Sequence, residues 1–218
     1  MAERIVMPAR DRAGVGAKPL QAESLGIRFS SRELGPFTFD VEPGELVCLL
    51  GGNGSGKTTA IRLALGLVRA TTGAAQVFGE SVSPTRPPNG VGYVPDKADF
   101  LNWQSAENNL TPFAADPGQV SAILDRVGLG HAASQQVRRF SRGMRQRLSI
   151  ARALVAQSSL LVMDEPTIAL DVEGIDLLVN LICERGESGG ATLIATHDQG
   201  FLERVDGRIV RVEDGHTT

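Results

Sequence analysis

Cysteine is scarce: Cys48 and Cys183 stand alone, without metal-ligand spacing. That excludes a disulfide scaffold and predicts two buried, reduced thiols of a cytosolic chain. No apolar run approaches the roughly 18 residues that cross a bilayer, so this chain is not expected to span one. Met1 to Leu20 mixes charges, Gly and Pro without an apolar h-region, which excludes a secretory signal; residues 1–22 read as a flexible leader. Basic charge is not in excess. The net charge of −3 gives no electrostatic case for a nucleic-acid partner. Sustained heptads are missing, which argues against long coiled-coil arms. Tryptophan occurs once, at Trp103.

The remainder suits a globular protein. With 218 residues, 42% hydrophobic and 22% charged, the chain can form one domain with a substantial core. Residues 23–218 are read as that domain. Its centre is Gly51-Gly52-Asn53-Gly54-Ser55-Gly56-Lys57-Thr58-Thr59, which fits the phosphate-binding pattern G-x-x-x-x-G-K-[ST]. Glycines let backbone N–H groups approach a polyphosphate closely. The loop opens a helix, whose N-terminus favours anions. Lys57 offers a cation to the β- and γ-phosphates, and Thr58 a hydroxyl to Mg²⁺. The flanks agree, with a buried strand at Glu45–Leu50 and a helix from Thr59 to Val68.

Before the P-loop, Glu23–Ser30 and Phe37–Val41 read as strands; after it, so does Gly73–Gly79. Together they predict an antiparallel layer. A further strand ends at Tyr93-Val94-Pro95-Asp96. Phe100, Leu101 and Trp103 follow in a loop-like stretch, where they either pack into the core or form an apolar docking surface. Val120, Ile123, Leu124 and Val127 have helical spacing. Phe140 to Arg147 precedes a helix over Leu148–Val155; alone, it reads as a basic helix start with Ser141 as N-cap. Leu160–Met163 is an apolar run that ends in Asp164 and Glu165, the Walker B pattern. Asp164 is suited to the Mg²⁺ shell and Glu165 to polarising a water for attack on the γ-phosphate. A buried strand, Ala191–Thr196, ends at His197, where open α/β sheets bind ligands. Arg208–Glu213 reads as the last strand, before a short polar tail.

The order of these motifs resembles that of the nucleotide-binding subunit of an ABC transporter, over roughly Glu23 to Asp214. The motifs are the P-loop, Tyr-Val-Pro-Asp, Phe-Ser-Arg-Gly-Met, Leu-Leu-Val-Met-Asp-Glu-Pro-Thr, Ala-Leu-Asp and Thr-His-Asp. The resemblance implies an α/β fold: a P-loop NTPase core, an antiparallel β layer and a helical insert at about 96–157. Phe29 matches the aromatic that stacks on adenine, and Gly51 to Thr59 the phosphate site. Asp96 stands where the family has the Q-loop glutamine, facing the metal. Ser141 and Gly143 match the signature that caps the γ-phosphate of a partner subunit, with Arg142 and Met144 departing from its usual Gly and Gln. Asp164 matches the metal residue, Glu165 the catalytic glutamate, Asp171 the D-loop and His197 the switch histidine.

The implied activity is hydrolysis of ATP with Mg²⁺. Two subunits, identical or paralogous, would sandwich the nucleotides and drive an integral-membrane permease from the cytoplasmic face of the cell membrane. Ser-x-Gly-Met-Arg-Gln-Arg resembles the exporter branch with a separate permease, so export is the expected direction. Two alternatives stand beside this reading. One is a soluble ABC ATPase acting on ribosomes or nucleic acid, disfavoured by the single domain and lack of heptads. The other is a module that senses ATP without hydrolysis, disfavoured by Glu165.

Overall fold

The computed structural model describes residues 17–29 and 32–218. The chain opens with β1 (Leu20–Arg28) and β2 (Glu33–Val41), an antiparallel pair. β1 thus begins inside the stretch read as leader; most of that stretch, residues 1–16, lies outside the described residues. β3 (Leu46–Leu50) leads through the P-loop into α1 (Lys57–Ala64). This helix stops short of the expected Val68, because the turn after it takes a positive φ at Gly66. β4 (Thr72–Val77) and β5 (Glu80–Ser81) complete a four-stranded sheet in the order β2-β1-β4-β5.

From β6 (Val91–Val94) the chain passes through α2 (Ala106–Leu110), α3 (Val120–Arg126) and α4 (Arg142–Val155), joined by short 3₁₀ turns. It then alternates: β7 (Leu160–Asp164), α5 (Val172–Glu187), β8 (Ala191–Thr196), α6 (Gln199–Leu202), and the closing pair β9 (Arg208–Glu213) and β10 (His216–Thr217). The central sheet runs β10-β9-β3-β8-β7-β6, parallel except for the β10 edge. The polar tail expected after Glu213 therefore supplies a strand, with Gly215 at positive φ in the turn.

Burial explains the layers. All five residues of β3 and of β7 are buried, as in a parallel sheet covered on both faces. Alternate residues serve opposite cores. Val47, Leu49, Leu160, Val162 and Leu193 pack with α1 and the antiparallel sheet, around Phe37 and Ile61. Cys48, Leu161, Met163 and Ile194 pack against the helices, around Leu124, Leu148 and Phe201. Each such side chain, fully buried, contributes about 1.5–3 kcal/mol. Asp164 continues the Leu160–Val162 parity, so the strand delivers its carboxylate to the α1 face. Of the two thiols, Cys48 is buried, and burial pushes it up to about 12. Cys183 is exposed, which corrects the expectation: it occupies the solvent stripe of α5, between the buried Ile182 and Arg185 turns.

Candidate functional site: the carboxyl edge of the parallel sheet

The P-loop turns between β3 and α1. Any side chain at Gly51 would collide with the Val212 carbonyl and lie 2.6 Å from Ser55 Oγ. Gly56 has φ 109, a backbone region that L side chains rarely adopt, and it starts α1 with no side-chain cap. The first amides of α1 therefore have no side-chain acceptor, which suits an anion. Gly52, Asn53 and Gly54 are exposed at the loop tip, Thr58 and Thr59 half-buried, and Ser55 Oγ is buried without a partner.

Lys57 is only 5% exposed. Its ammonium donates to Gly51 O at 2.7 Å and Gly52 O at 3.0 Å and lies 3.1 Å from Glu165 Oε1. Glu165 Oε2 is 2.9 Å from His197 Nδ1. A carboxylate only accepts, so the His197 proton on this bond is on Nδ1. The Glu165 amide donates to Ala195 O at 2.8 Å, carrying the β7–β8 pairing one residue past the strand. Glu165 itself takes φ 51, a left-handed conformation that costs a non-glycine residue about 1–2 kcal/mol. The kink is what brings its carboxylate to Lys57 and His197.

Asp164 is fully buried, and neither of its oxygens reaches full hydrogen-bond geometry. Burial pushes its carboxyl above the usual range, opposed by the Thr58 hydroxyl and reinforced by the charges of Asp96 and Glu165. An orphaned carboxylate beside a phosphate loop fits a divalent cation. Among the described residues no cluster of three His, Cys, Asp or Glu could hold a metal unaided. Phosphate oxygens would have to complete the shell. Asp96 is exposed in the bend after β6, close enough for its charge to act on Asp164.

Phe29 is half exposed, and its amide donates to Arg32 O at 2.8 Å. Arg32 reaches Gly54 O at 3.5 Å, which sets this pair beside the P-loop. Among the described residues, no hydrogen bond brings Ser141 or Gly143 to the P-loop. Ser141 caps α4, accepting from Met144 N at 3.1 Å. The helix begins at Arg142, six residues before the expected start, because that cap works. Gly143 packs so that a Cβ would lie 2.8 Å from Ala169 O.

A family profile described as "ABC transporter" matches residues 34–168, more than half of the chain. The chain belongs to the ABC transporter family of ATP-binding proteins. It is 34% identical over 206 residues to the "Uncharacterized ABC transporter ATP-binding protein YdbJ" of Bacillus subtilis, covering 90% of this chain and 67% of that one. It is 32% identical to the "Bacitracin transport ATP-binding protein BcrA" of Bacillus licheniformis, covering 85% of this chain and 63% of that one. The chain thus spans about two thirds of the length of these relatives. The "Zinc import ATP-binding protein ZnuC" of Cereibacter sphaeroides matches at 34% identity over 88% of this chain and 77% of its own. A solved structure titled "Structure of ATP binding subunit of ABC transporter" superposes with a TM-score of 0.83, at 26% identity over 91% of this chain and 87% of that one. The α/β fold with its antiparallel layer is that of ABC ATPase subunits, and the family hydrolyses ATP to power transport through membrane permeases. Among the described residues no helix is long and apolar enough to cross a membrane.

Within the ABC subunit, two links join the signature helix to the Walker B turn. Gln146 donates to Pro166 O at 3.0 Å, and Arg147 to Asp171 at 2.6 Å. Asp171 caps α5, and the Gly174 amide and Arg147 hold its carboxyl below the usual range. Gln146 and Arg147 close the Ser-x-Gly-Met-Arg-Gln-Arg stretch, but nothing in the sequence announces these two contacts. Arg62 was also missed. It faces Tyr93 and Asp164 one turn along α1 from Thr58, and that i,i+4 spacing was the available signal. The apolar stretch after Asp96 splits. Phe100 packs on the helical core beneath Arg152, whose guanidinium lies 4.7 Å from its ring, whereas Trp103 is 67% exposed and Leu101 exposed.

Proposed function

We propose that this chain hydrolyses MgATP at the P-loop edge and drives an exporter through a separate permease. The observation that carries the reading is the buried, unpartnered carboxylate of Asp164 beside the phosphate loop, with Glu165 one residue on. Asp164 and the Thr58 hydroxyl, faced by Asp96, would hold the Mg²⁺ that accompanies the nucleotide. When bound, the ion neutralises phosphate charge. The amides of Gly52 to Thr59 cradle the phosphates, Lys57 binds them, and Phe29 stacks on the base. Glu165 takes the proton of the attacking water, and His197 holds Glu165 in place and meets the γ-phosphate.

Ser141 is exposed at a helix start in the single chain, which supports its use in a second subunit's site. The domain is a single unit over 23–218, with the helical insert at 96–157 turned toward the permease at the cytoplasmic face. Trp103 and Leu101 are the residues proposed to dock there. Export is supported by the Ser-x-Gly-Met-Arg-Gln-Arg form and by relatives such as the "Nod factor export ATP-binding protein I" of Cupriavidus metallidurans. Relatives named for import match at similar identity, so the signature form carries that part of the reading.

Sedimentation tests the sandwich. Glu165→Gln with MgATP is expected to shift from monomer toward dimer, and adding Ser141→Arg to abolish the shift. An unchanged profile in both would overturn self-pairing in favour of a different subunit. Trp103→Ala is expected to leave the melting temperature alone while a multi-span partner no longer co-purifies from membranes; a strongly destabilised variant would overturn the docking role.

A further inference from the structure

The loop that carries Leu101 and Trp103 is tied down at successive carbonyls. Asp99 O accepts from Arg152 Nη1 at 2.8 Å, and the Arg152 guanidinium covers the Phe100 ring. Leu101 O accepts from Asn109 Nδ2 at 3.1 Å and from the Gln104 amide at 2.9 Å. Gln104 O accepts from the Val137 amide at 3.0 Å. Asn102 makes the central pair of bonds. Its carbonyl accepts from the Arg138 amide at 3.0 Å, and its side-chain Oδ1 accepts from Arg145 Nη1 at 2.9 Å. A guanidinium only donates, so the oxygen of the Asn102 amide, not its nitrogen, faces Arg145. Arg145 and Arg152 lie about two turns apart, so one face of α4 holds the loop.

The two partners of Asn102 flank Ser141. Arg138 belongs to the 3₁₀ turn Val137–Arg139 before it, and Arg145 to the start of α4 after it. Between turn and helix, Phe140 and Ser141 are extended; Phe140 is buried in the helical core and Ser141 is exposed. Among the described residues no backbone hydrogen bond crosses from the turn to the helix, so Asn102 is a polar brace across that break. Its own neighbours, Leu101 and Trp103, are large, apolar and exposed. We propose that Asn102 is a positioning residue of the signature: it fixes Ser141 for its reach into a second subunit's site and links it to the surface formed by Leu101 and Trp103. This role rests on the reading of Ser141 given above. A partner that shifts the loop shifts the signature, and by linkage the coupling runs both ways.

The test uses the whole chain in the Glu165→Gln background, where MgATP is expected to drive dimerisation. Asn102→Ala removes the bond to Arg145; Asn102→Asp keeps an oxygen acceptor there. Asn102 is exposed, so neither change opens the core. A sandwich uses two signatures, and one lost hydrogen bond costs about threefold at each. Asn102→Ala should therefore weaken the dimer about tenfold in sedimentation. Its affinity for ADP in calorimetry should stay within about twofold of the parent, and Asn102→Asp should restore the dimer. An Asn102→Ala dimer as tight as the parent's overturns the role. So does an equal loss of ADP affinity, which marks general damage, or a failure of Asn102→Asp to restore the dimer. A parent that does not dimerise overturns the sandwich reading, and the role of Asn102 falls with it. Trp103, the only tryptophan, supplies a second readout. Its emission should shift when saturating MgATP dimerises the parent. It should not shift in Asn102→Ala at concentrations high enough to dimerise that variant. An unchanged emission in the parent, or an equal shift in both, overturns the link.

Discussion

Two ion networks in this molecule look alike on paper and behave differently. One joins Lys57, Glu165 and His197 at the carboxyl edge of the parallel sheet. The other joins Arg208 of β9 to Glu45, just before β3, and to Asp40 of β2, which also pairs with Lys18. In the first, Lys57 and Glu165 are shut away from water. In the second, the Arg208 and Asp40 side chains are 42% and 32% exposed. The second network ties the antiparallel sheet to the parallel one. Water and salt can replace any of its members at little cost. The first can be replaced only by another ligand of matching charge. Burial, rather than the number of contacts, separates a chemical site from a structural clasp.

The sharpest way to break this comparison is turnover. Glu165→Gln is expected to lower ATP turnover by a factor of roughly 10² or more, while nucleotide binding is kept or tightened. Glu45→Gln, in the exposed network, should change turnover by less than about twofold. A comparable loss in both, in a steady-state phosphate-release assay, would refute the distinction. Next in size, Lys57→Ala should weaken binding of a fluorescent ATP analogue by about tenfold or more, since a charge-assisted contact to phosphate is lost.

The buried network was legible residue by residue, and the exposed one was not. Lys57, Asp164, Glu165 and His197 sit in local patterns, because each follows a strand whose apolar run announces where the side chain emerges. The Lys57–Glu165 contact was invisible, since it depends on a left-handed kink at Glu165 that no local pattern encodes. Arg208 is far in sequence from Asp40 and Glu45, and only the β3–β9 pairing brings it to them. The same limit applies to elements. β7 and β8 were read to the residue, being short and mostly apolar. α5 is not bounded in the sequence reading, although Asp171 caps it and Leu178, Leu181 and Ile182 line its buried face. α2 was missed because it is five residues long, held by the Ser105 cap and by the Asn109 side chain bonded to Leu101.

A smaller effect probes the cost of burial directly. The Asp164 carboxyl is raised by desolvation, so its contribution to stability is fully present below the ordinary value of 3.8 and is lost as pH rises through the folded value. At neutral pH the ionised group therefore works against the nucleotide-free fold. Asp164→Asn should raise the melting temperature of that form by roughly 2–4 °C, the equivalent of about 1 kcal/mol in a chain this size. The further stabilisation that Mg²⁺ with nucleotide gives the native chain should disappear in the variant. A lowered melting temperature would mean that Asp164 is paired after all.

The smallest effect is expected in the clasp. The Lys18 ammonium holds Asp40 below its ordinary 3.8, with Arg208 adding to it. Burial would raise Glu45, but Arg208 and the Glu42 amide hold it below 4.5. Both folded values are depressed, so the stability they supply is present above the ordinary carboxylate range and is lost as pH falls through the folded values. Arg208 is more than one third exposed, so solvent discounts the pairs to about 1 kcal/mol or less. Arg208→Ala should therefore cost about that much at pH 7 in urea unfolding. The difference should shrink with added salt and close as the pH drops below both carboxylates. Lys at this position would restore part of it, because a single ammonium cannot reach Glu45 and the Asp40 carbonyl together as the guanidinium does at 2.6 and 2.7 Å. A loss of several kcal/mol that ignored salt and pH would place Arg208 with the buried network and erase the distinction between the two.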